Sequence, residues 1–142
     1  MPHKARQQGQ LLSKHLAAGV LVDGDRVLLV KRSAKRSYFP DVWDFAGGHS
    51  EQGEAPEETL ARELAEELGV IPIEYSLLGV VPRTAEGLPL YAYCVTKWMG
   101  TPANLQEHEH SEIAWIPASE VDRLDLASPV IPSLLQSIRL SD

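Results

Sequence analysis

Three glutamates in one short segment have the residue type and the spacing to bind a metal ion. Glu63, Glu66 and Glu67 stand at positions i, i+3 and i+4, so a helix would project their carboxylates from one face. Like charges at these spacings each cost roughly 0.2 to 0.5 kcal/mol unless a counter-ion offsets them. Carboxylate oxygens are the ligands that hard cations such as Mg2+ prefer. The cluster alone fits either a divalent-metal site or a solvated acidic helix face.

The residues around these glutamates predict the helix that would position them. From residue 56 to residue 68 leucines recur every four positions, at Leu60, Leu64 and Leu68, as on one face of an amphipathic helix. Pro56 suits the first turn and Gly69 suits the C-terminal cap. We expect the leucines to face the core and the glutamates to project opposite them.

The rest of the chain predicts one mixed sheet with helices on its faces. Residues 16–22 and 27–31 flank Asp23-Gly24-Asp25, which is typical of a strand hairpin. After a loop over residues 32–41, a short strand is predicted over 42–46, ended by Gly47-Gly48. Further strands are predicted at 73–81, 88–99 and 112–116, and helices at 117–124 and 129–140.

Composition favours a folded protein in a reducing compartment. Apolar residues make up 44% of the chain and charged residues 23%, unlike disordered chains. The single cysteine, Cys94, can form neither an internal disulfide nor a zinc site by itself. The apolar stretch near the N-terminus is too short to span a membrane. We expect a flexible segment over residues 1–14, a single domain over 15–142, and a cytoplasmic protein.

The distribution of charge argues against nucleic-acid binding. Lys and Arg number 13 and Asp and Glu 20, for a net charge of -7. Between Gly48 and Val70 there are seven glutamates and one arginine, so that window carries 1 minus 7, or -6. Such a charge disfavours attraction to a nucleic-acid backbone. We expect no nucleic-acid polymer as a partner, and the sequence leaves a homodimer possible.

The segment from Gly48 to Val70, GHSEQGEAPEETLARELAEELGV, resembles the Nudix box. That box is a glycine, five residues, a glutamate, seven residues, then Arg-Glu-aliphatic-x-Glu-Glu-x-Gly-aliphatic, and every defined position matches. The preceding Trp43-Asp44-Phe45-Ala46-Gly47-Gly48 resembles the lead-in of MutT-like members, with Ala46 in place of the familiar proline. The resemblance implies an α/β fold, the Nudix α/β/α sandwich with a mixed central β-sheet.

For the site, the resemblance implies a hydrolase that uses Mg2+, with Mn2+ as the alternative metal. Glu66 and Glu67 then become metal ligands, Glu63 becomes a ligand or the general base, and the main-chain carbonyl of Gly48 becomes a further ligand. Arg62 joins the catalytic set in a supporting role, because its position one residue off the glutamate face suits it to anchoring the preceding loop through Glu54.

Two loops outside the box supply further candidates. Family members commonly recruit an acidic residue before a tryptophan-containing strand, and Glu109 is the first choice for this metal ligand or general base, with Glu112 second. His108 and His110 are interpreted as loop histidines because Mg2+ prefers oxygen. In the basic loop, Arg32 matches a substrate-contacting position of MutT-like members and is predicted to bind substrate, whereas its neighbouring cations are interpreted as solvated.

Substrate class follows from the same resemblance. It implies a (deoxy)nucleoside triphosphate pyrophosphohydrolase of the MutT-like kind, which releases a monophosphate and pyrophosphate. Ala127 stands where MutT-like members have a base-reading polar residue, so an oxidised guanine is not favoured. The alternatives are an ADP-ribose or nucleotide-sugar pyrophosphatase and a non-catalytic module that senses a nucleotide.

Overall fold

The computed structural model describes residues 13–138 of the chain. The expected flexible segment, residues 1–14, lies outside the described residues except for Ser13 and Lys14, as does the predicted end of the last helix at residues 139–140. Among the residues described, no helix is both long and apolar enough to cross a membrane.

The elements follow the order expected from the sequence, with one additional strand. They are β1 Leu16–Asp23, β2 Arg26–Arg32, β3 Trp43–Asp44, β4 Ala46–His49, α1 Pro56–Leu68, β5 Ile71–Val81, β6 Leu90–Met99, β7 His110–Pro117, a 3-10 helix Ala118–Arg123 and α2 Val130–Gln136. The sheet order is β3-β2-β1-β6-β5, with β4 also paired to β1 and β7 to β2. Because β1 runs parallel to β6 and antiparallel to β2 and β4, the sheet is mixed, as predicted.

The sheet has a hydrophobic core on each face. Ala17 and Leu21 of β1 belong to the core under α1, whereas Ala18 and Val20 belong to the core that the 3-10 helix and α2 cover. This alternation is the period of two that a strand imposes on its side chains. Helices therefore cover both faces, and the α/β/α prediction is confirmed.

Helix α1 has the bounds that its sequence predicts. Leu60, Leu64 and Leu68 are at most 1% exposed, and each such leucine contributes about 1.5 to 3 kcal/mol through burial. At the start, the carboxylate of Glu58 accepts a hydrogen bond from the backbone N–H of Ala55 at 2.8 Å. At the end, Gly69 takes the left-handed conformation, with φ 73°, that a helix C-cap favours. Burial of the apolar face therefore fixes the orientation of the acidic face of the same helix.

The prediction that Gly47-Gly48 ends a single strand is wrong. The strand breaks at Phe45 instead, and both glycines lie inside β4, which pairs with β1. A Cβ at Gly47 would lie 2.2 Å from the carbonyl oxygen of Ala17, so the close approach of the two strands requires glycine. These glycines therefore mark a close backbone contact and not a strand end.

The structure also corrects the predicted helix over 117–124. This segment forms a 3-10 helix over Ala118–Arg123. Pro117 precedes it and six residues make up its whole length, and short connecting turns of this kind commonly take the tighter 3-10 form. Its Val121 packs into the core on the face opposite α1.

Candidate functional site

The three glutamates of the acidic helix face differ in their environments. Glu67 lies closest to the sheet and its side chain is only 5% exposed, while the side chain of Glu66 is 48% exposed. Glu63 lies between these extremes and is largely enclosed. All three line a cavity of about 1210 Å³, which is ample for a nucleotide. The helix therefore lines this cavity with three carboxylates whose exposure rises from Glu67 through Glu63 to Glu66.

Glu67 is a carboxyl group whose ionised form is disfavoured by its surroundings. Burial, and then the neighbouring Glu63 carboxylate, raise its pKa well above the usual range. The backbone N–H of Gly47 donates a hydrogen bond to Glu67 Oε1 at 3.2 Å and offsets only part of this effect. A positive charge beside Glu63 and Glu67 would restore the ionised state, so the pair suits a cation.

Gly48 permits the close approach of strand β4 to the acidic helix. A Cβ at this position would lie 2.7 Å from Glu63 Oε2, too close for any other residue without a shift of that carboxylate. The backbone of Gly48 and the carboxylate of Glu63 thus lie side by side on the cavity wall. This is the place at which the sequence predicts a main-chain oxygen ligand.

Arg62 connects the acidic helix to the loop that precedes it. Its Nε donates to Glu54 Oε2 at 2.6 Å and its Nη2 donates to the carbonyl oxygen of His49 at 2.8 Å. Its Nη1 donates to Glu63 at 3.1 Å and to Glu66 at 3.3 Å. Hydrogen bonding to Arg62 lowers the pKa of Glu54 to about 2. The expected contact between Arg62 and Glu54 is present, and the same guanidinium orients two of the candidate ligands.

A second set of residues reaches the acidic helix from the start of β7. Glu67, Glu109 and His110 each offer a ligand atom, and these atoms lie within 4.8 Å of one another. Glu109 also lies 3.7 Å from Nη1 of Arg36, which lines the same cavity. The fold therefore brings Glu109, the first choice from the family resemblance and the spacing to the tryptophan, close to Glu67 of α1.

The interpretation of His110 as a loop histidine is wrong. His110 is the first residue of β7, is buried, and has its Nε2 3.7 Å from Glu67 Oε1. Burial lowers its pKa to about 4, and its Nδ1 has no hydrogen-bond partner among the described residues. Its burial results from the pairing of β7 with β2, opposite Arg32. No local pattern separates it from His108, which is exposed in the preceding turn.

Glu112, the second acidic choice, lies away from the cavity. It is an exposed residue of β7, opposite Lys31 of β2 in the register of the sheet. Among the described residues that line the cavity, Glu109 is present and Glu112 is not. The structure thus separates two candidates that sequence spacing alone had only ranked.

Arg32 lines the cavity and also holds the loop beside it. Its Nε donates to the carbonyl oxygen of Phe39 at 2.9 Å and its Nη2 donates to that of Tyr38 at 2.8 Å. Its Nη1 lies 4.0 Å from Oδ2 of Asp44. Of the other arginines, Arg36, Arg62 and Arg83 also line the cavity. Four guanidinium groups therefore border the same space as the carboxylates of the acidic helix.

Asp44 is a second carboxyl group with an altered pKa in this cavity. Loss of hydration raises its pKa to about 6, although a backbone hydrogen bond from Phe45 and the charge of Arg32 act in the other direction. The side chain of Asp44 is nevertheless 33% exposed. This carboxyl group thus lines the site with a pKa raised from its ordinary range.

Three further residues lie in the sheet or the core outside the reacting groups. Cys94 is buried, and desolvation raises the pKa of its thiol, which fits a small apolar residue and not a nucleophile. Trp115 of β7 stacks on Trp98 with ring centroids 6.0 Å apart, and Trp43 lies in β3. Trp43 and Trp115 both pack against the hydrophobic cores of the sheet.

Comparison with known proteins gives one consistent family. The sequence model of the NUDIX domain matches residues 13–136. The chain is 32% identical to the CTP pyrophosphohydrolase of Escherichia coli over 121 residues, which cover 84% of this chain and 87% of that protein. It is 34% identical to an 8-oxo-dGTP diphosphatase of Proteus vulgaris over 86 residues, covering 59% and 77%. The MutT NUDIX hydrolase of Burkholderia pseudomallei has a similar structure, with a TM-score of 0.73, 26% identity and coverage of 89% and 98%.

Proposed function

The chain belongs to the Nudix hydrolase family, and we propose that it cleaves a phosphoanhydride bond in a nucleoside-diphosphate-linked substrate in a Mg2+-dependent reaction. The substrate that we propose is a (deoxy)nucleoside triphosphate, which would give a nucleoside monophosphate and pyrophosphate. The observation that carries the proposal is the burial of Glu67 against Glu63 at the wall of a nucleotide-sized cavity. Similarity to the CTP pyrophosphohydrolase of Escherichia coli supports the triphosphate.

The donor set suits a hard divalent cation. Clustered carboxylate oxygens are the ligands that Mg2+ takes. Because burial and Glu63 raise the pKa of Glu67, a cation bound beside it would stabilise its ionised form. A bound Mg2+ or Mn2+ would neutralise charge on the substrate phosphates and lower the pKa of the attacking water. The residues that we assign to hold it, by their match to the Nudix box, are Glu63, Glu66, Glu67 and, through its main-chain oxygen, Gly48. Glu109 offers a ligand atom within 4.8 Å of one on Glu67 and is the further candidate.

Glu109 is the residue that we assign to accept the proton of the attacking water. The water oxygen bonds to one phosphorus of the anhydride, the bond from that phosphorus to the bridging oxygen breaks, and the proton passes to the carboxylate. Glu63 is the alternative base, but Arg62 already donates to it at 3.1 Å and it is largely enclosed. Glu109 is more exposed within the cavity and therefore more accessible to water.

The guanidinium groups that line the cavity suit the substrate phosphates. Arg36 and Arg83 line the cavity, and planar guanidinium groups match phosphate oxygens in pairs. Arg32 remains our substrate-binding candidate, although Tyr38 and Phe39 occupy two of its donors. We propose that these cations hold the phosphates while the glutamates act on the bond that breaks.

Product analysis tests the proposal. Purified protein is incubated with (d)NTPs, oxidised dGTP, ADP-ribose and nucleotide sugars in Mg2+ or Mn2+, and nucleotides and pyrophosphate are quantified, with Glu67→Gln as control. Metal-dependent release of a monophosphate and pyrophosphate, absent in the control, supports the proposal. Two monophosphates from ADP-ribose or a nucleotide sugar would indicate the alternative hydrolase. Nucleotide binding without turnover would indicate a sensing module and contradict the mechanism.

A further inference from the structure

Tyr38 and Phe39 form an exposed aromatic pair on the wall of the cavity. Each residue is 45% exposed, and their rings meet edge to face with centroids 4.7 Å apart. Other large apolar residues are also exposed, chiefly on β5. Among the described residues, however, Tyr38 and Phe39 are the exposed large hydrophobic residues that line the cavity. These two exposed aromatic side chains are therefore part of the candidate site.

The backbone that carries the pair is held in one unusual conformation. Phe39 and Asp41 have φ values of 48° and 59°, a region that side chains other than glycine rarely adopt. Such conformations persist where surrounding contacts determine them and are concentrated at functional sites. The contacts here come from Arg32, whose Nε and Nη2 donate to the carbonyl oxygens of Phe39 and Tyr38, and whose backbone carbonyl accepts a hydrogen bond from the N–H of Asp41 at 3.0 Å.

The remainder of the cavity combines charged groups with apolar side chains such as Phe45, Leu16 and Leu90, which are buried or half-buried. The acidic helix lines one wall and four arginines border the space, so phosphates and metal have partners already. A nucleotide also carries a flat aromatic base, and burying that base requires a surface of matching shape. Aromatic side chains stack on bases of any identity because every base presents a π face. Within the described cavity, Tyr38 and Phe39 provide such a surface exposed to ligand.

We propose that Tyr38 and Phe39 form a stacking platform for the nucleobase of the substrate, held ready by Arg32. This inference rests on the proposed function, because it requires that the substrate be a nucleotide. It gives Arg32 a positioning role through the loop that it holds, in addition to any contact with the substrate. The platform would favour nucleotides over base-free phosphates without selecting one base.

Calorimetric binding measurements test the platform. The double variant Tyr38→Leu/Phe39→Leu keeps apolar bulk but removes both π faces. The matched control is Tyr75→Leu, because Tyr75 is an exposed aromatic residue of β5 that does not line the cavity. In the double variant we expect the Kd for a nucleoside monophosphate to rise about tenfold, as the loss of one stacked base predicts. The Kd for pyrophosphate should change less than about twofold, since pyrophosphate has no base and its binding depends on the charged groups of the cavity.

Two further variants keep the test decisive. The exchange Tyr38→Phe/Phe39→Tyr retains both rings and should restore monophosphate affinity. Tyr38→Trp should show a saturable fluorescence change with the monophosphate, beyond that of the wild type, and none with pyrophosphate, even if the leucine variant fails to fold.

Several results would overturn the inference. An unchanged monophosphate Kd in the leucine variant, or an equal rise in both Kd values, would do so, as would a Tyr38→Trp variant whose fluorescence does not respond to the monophosphate. If the wild type cleaves nucleotides while these results are negative, only the stacking role fails. If the wild type neither binds nor cleaves any nucleotide, the proposed function and the stacking role fail together.

Discussion

Arg62 and Glu54 form the closest ion pair of the acidic helix and its loop, with Nε of the arginine 2.6 Å from Oε2 of the glutamate. The same arginine donates to the carbonyl oxygen of His49, so one side chain fixes both ends of the loop between β4 and α1. Its remaining nitrogen reaches Glu63 and Glu66. The arginine thereby links the conformation of the loop to the orientation of the acidic helix face.

The first prediction concerns the geometry of this arginine. Lysine keeps the charge but has a single nitrogen, so Arg62→Lys cannot hold Glu54, His49 and the helix glutamates together. We expect kcat to fall about tenfold to a hundredfold, because misplaced ligands lose rate steeply. Steady-state kinetics with a saturating metal concentration measures this change. Retention of wild-type kcat would show that the network is not needed for catalysis.

The second prediction is a loss of stability in acid that depends on Glu54. Its pKa is about 2 in the folded protein, against an ordinary value of 4.5, mainly because Arg62 donates to it. A lowered folded pKa contributes stability that is present above about pH 4.5 and is lost as the pH falls toward about 2. Urea unfolding from about pH 5 to about pH 2.5 should therefore show the wild type losing more stability than Glu54→Gln. Parallel curves for the two proteins would contradict the assigned pKa.

The third prediction separates stability from activity at Glu67. Burial and the charge of Glu63 raise the pKa of Glu67, so the metal-free fold loses stability as the pH rises from 4.5 toward that raised value. Glu67→Gln removes the ionisation, and we expect it to be about 1 to 2 kcal/mol more stable than the wild type at about pH 8 in EDTA. It should nevertheless be inactive.

Thermal unfolding in EDTA and in Mg2+ measures this difference. Mg2+ should raise the Tm of the wild type and have a smaller effect on Glu67→Gln, because the cation compensates the buried charge only where that charge exists. A wild-type Tm that does not respond to Mg2+ or Mn2+ would contradict the assigned metal site.

The fourth prediction compares two glutamates on the same stretch of chain. Glu109 lines the cavity near Glu67. Glu112 of β7 is exposed and lies opposite Lys31 of β2. We expect Glu109→Gln to lower kcat about a hundredfold or more, the usual contribution of a general base, and Glu112→Gln to leave it unchanged. Both variants lose one negative charge, so they are matched for net charge. Equal rates for the two variants would remove Glu109 from the mechanism.

Much of the acidic helix was predictable from local sequence. The leucine spacing, the proline at 56 and the glycine at 69 predict α1 with its observed bounds, because helix periodicity and caps are local properties. The same spacing predicts one acidic face with Glu63, Glu66 and Glu67. The resemblance to the Nudix box added the family and the proposed roles of these residues, since every defined position of that box is present.

Other features depended on contacts between distant parts of the chain. Gly47 and Gly48 belong to a strand because β1 lies against them, and no local signal shows that neighbour. His110 and Glu112 are two residues apart and would share one face of a regular strand. A register shift in the pairing of β7 with β2 places Glu112 opposite Lys31 and His110 opposite Arg32, and His110 is buried whereas Glu112 is exposed. Burial of this kind depends on register, and a shift of one residue reverses the face of every side chain.

The sequence by itself determined the helix, its acidic face and the family, because these depend on residue type and spacing within one continuous segment. Only the tertiary structure decided which carboxylates share the cavity, that Glu67 lies buried beside His110, and that Arg32 holds the loop of Tyr38 and Phe39. The physical reason is that the pKa and the reach of a side chain depend on which distant strands exclude water around it.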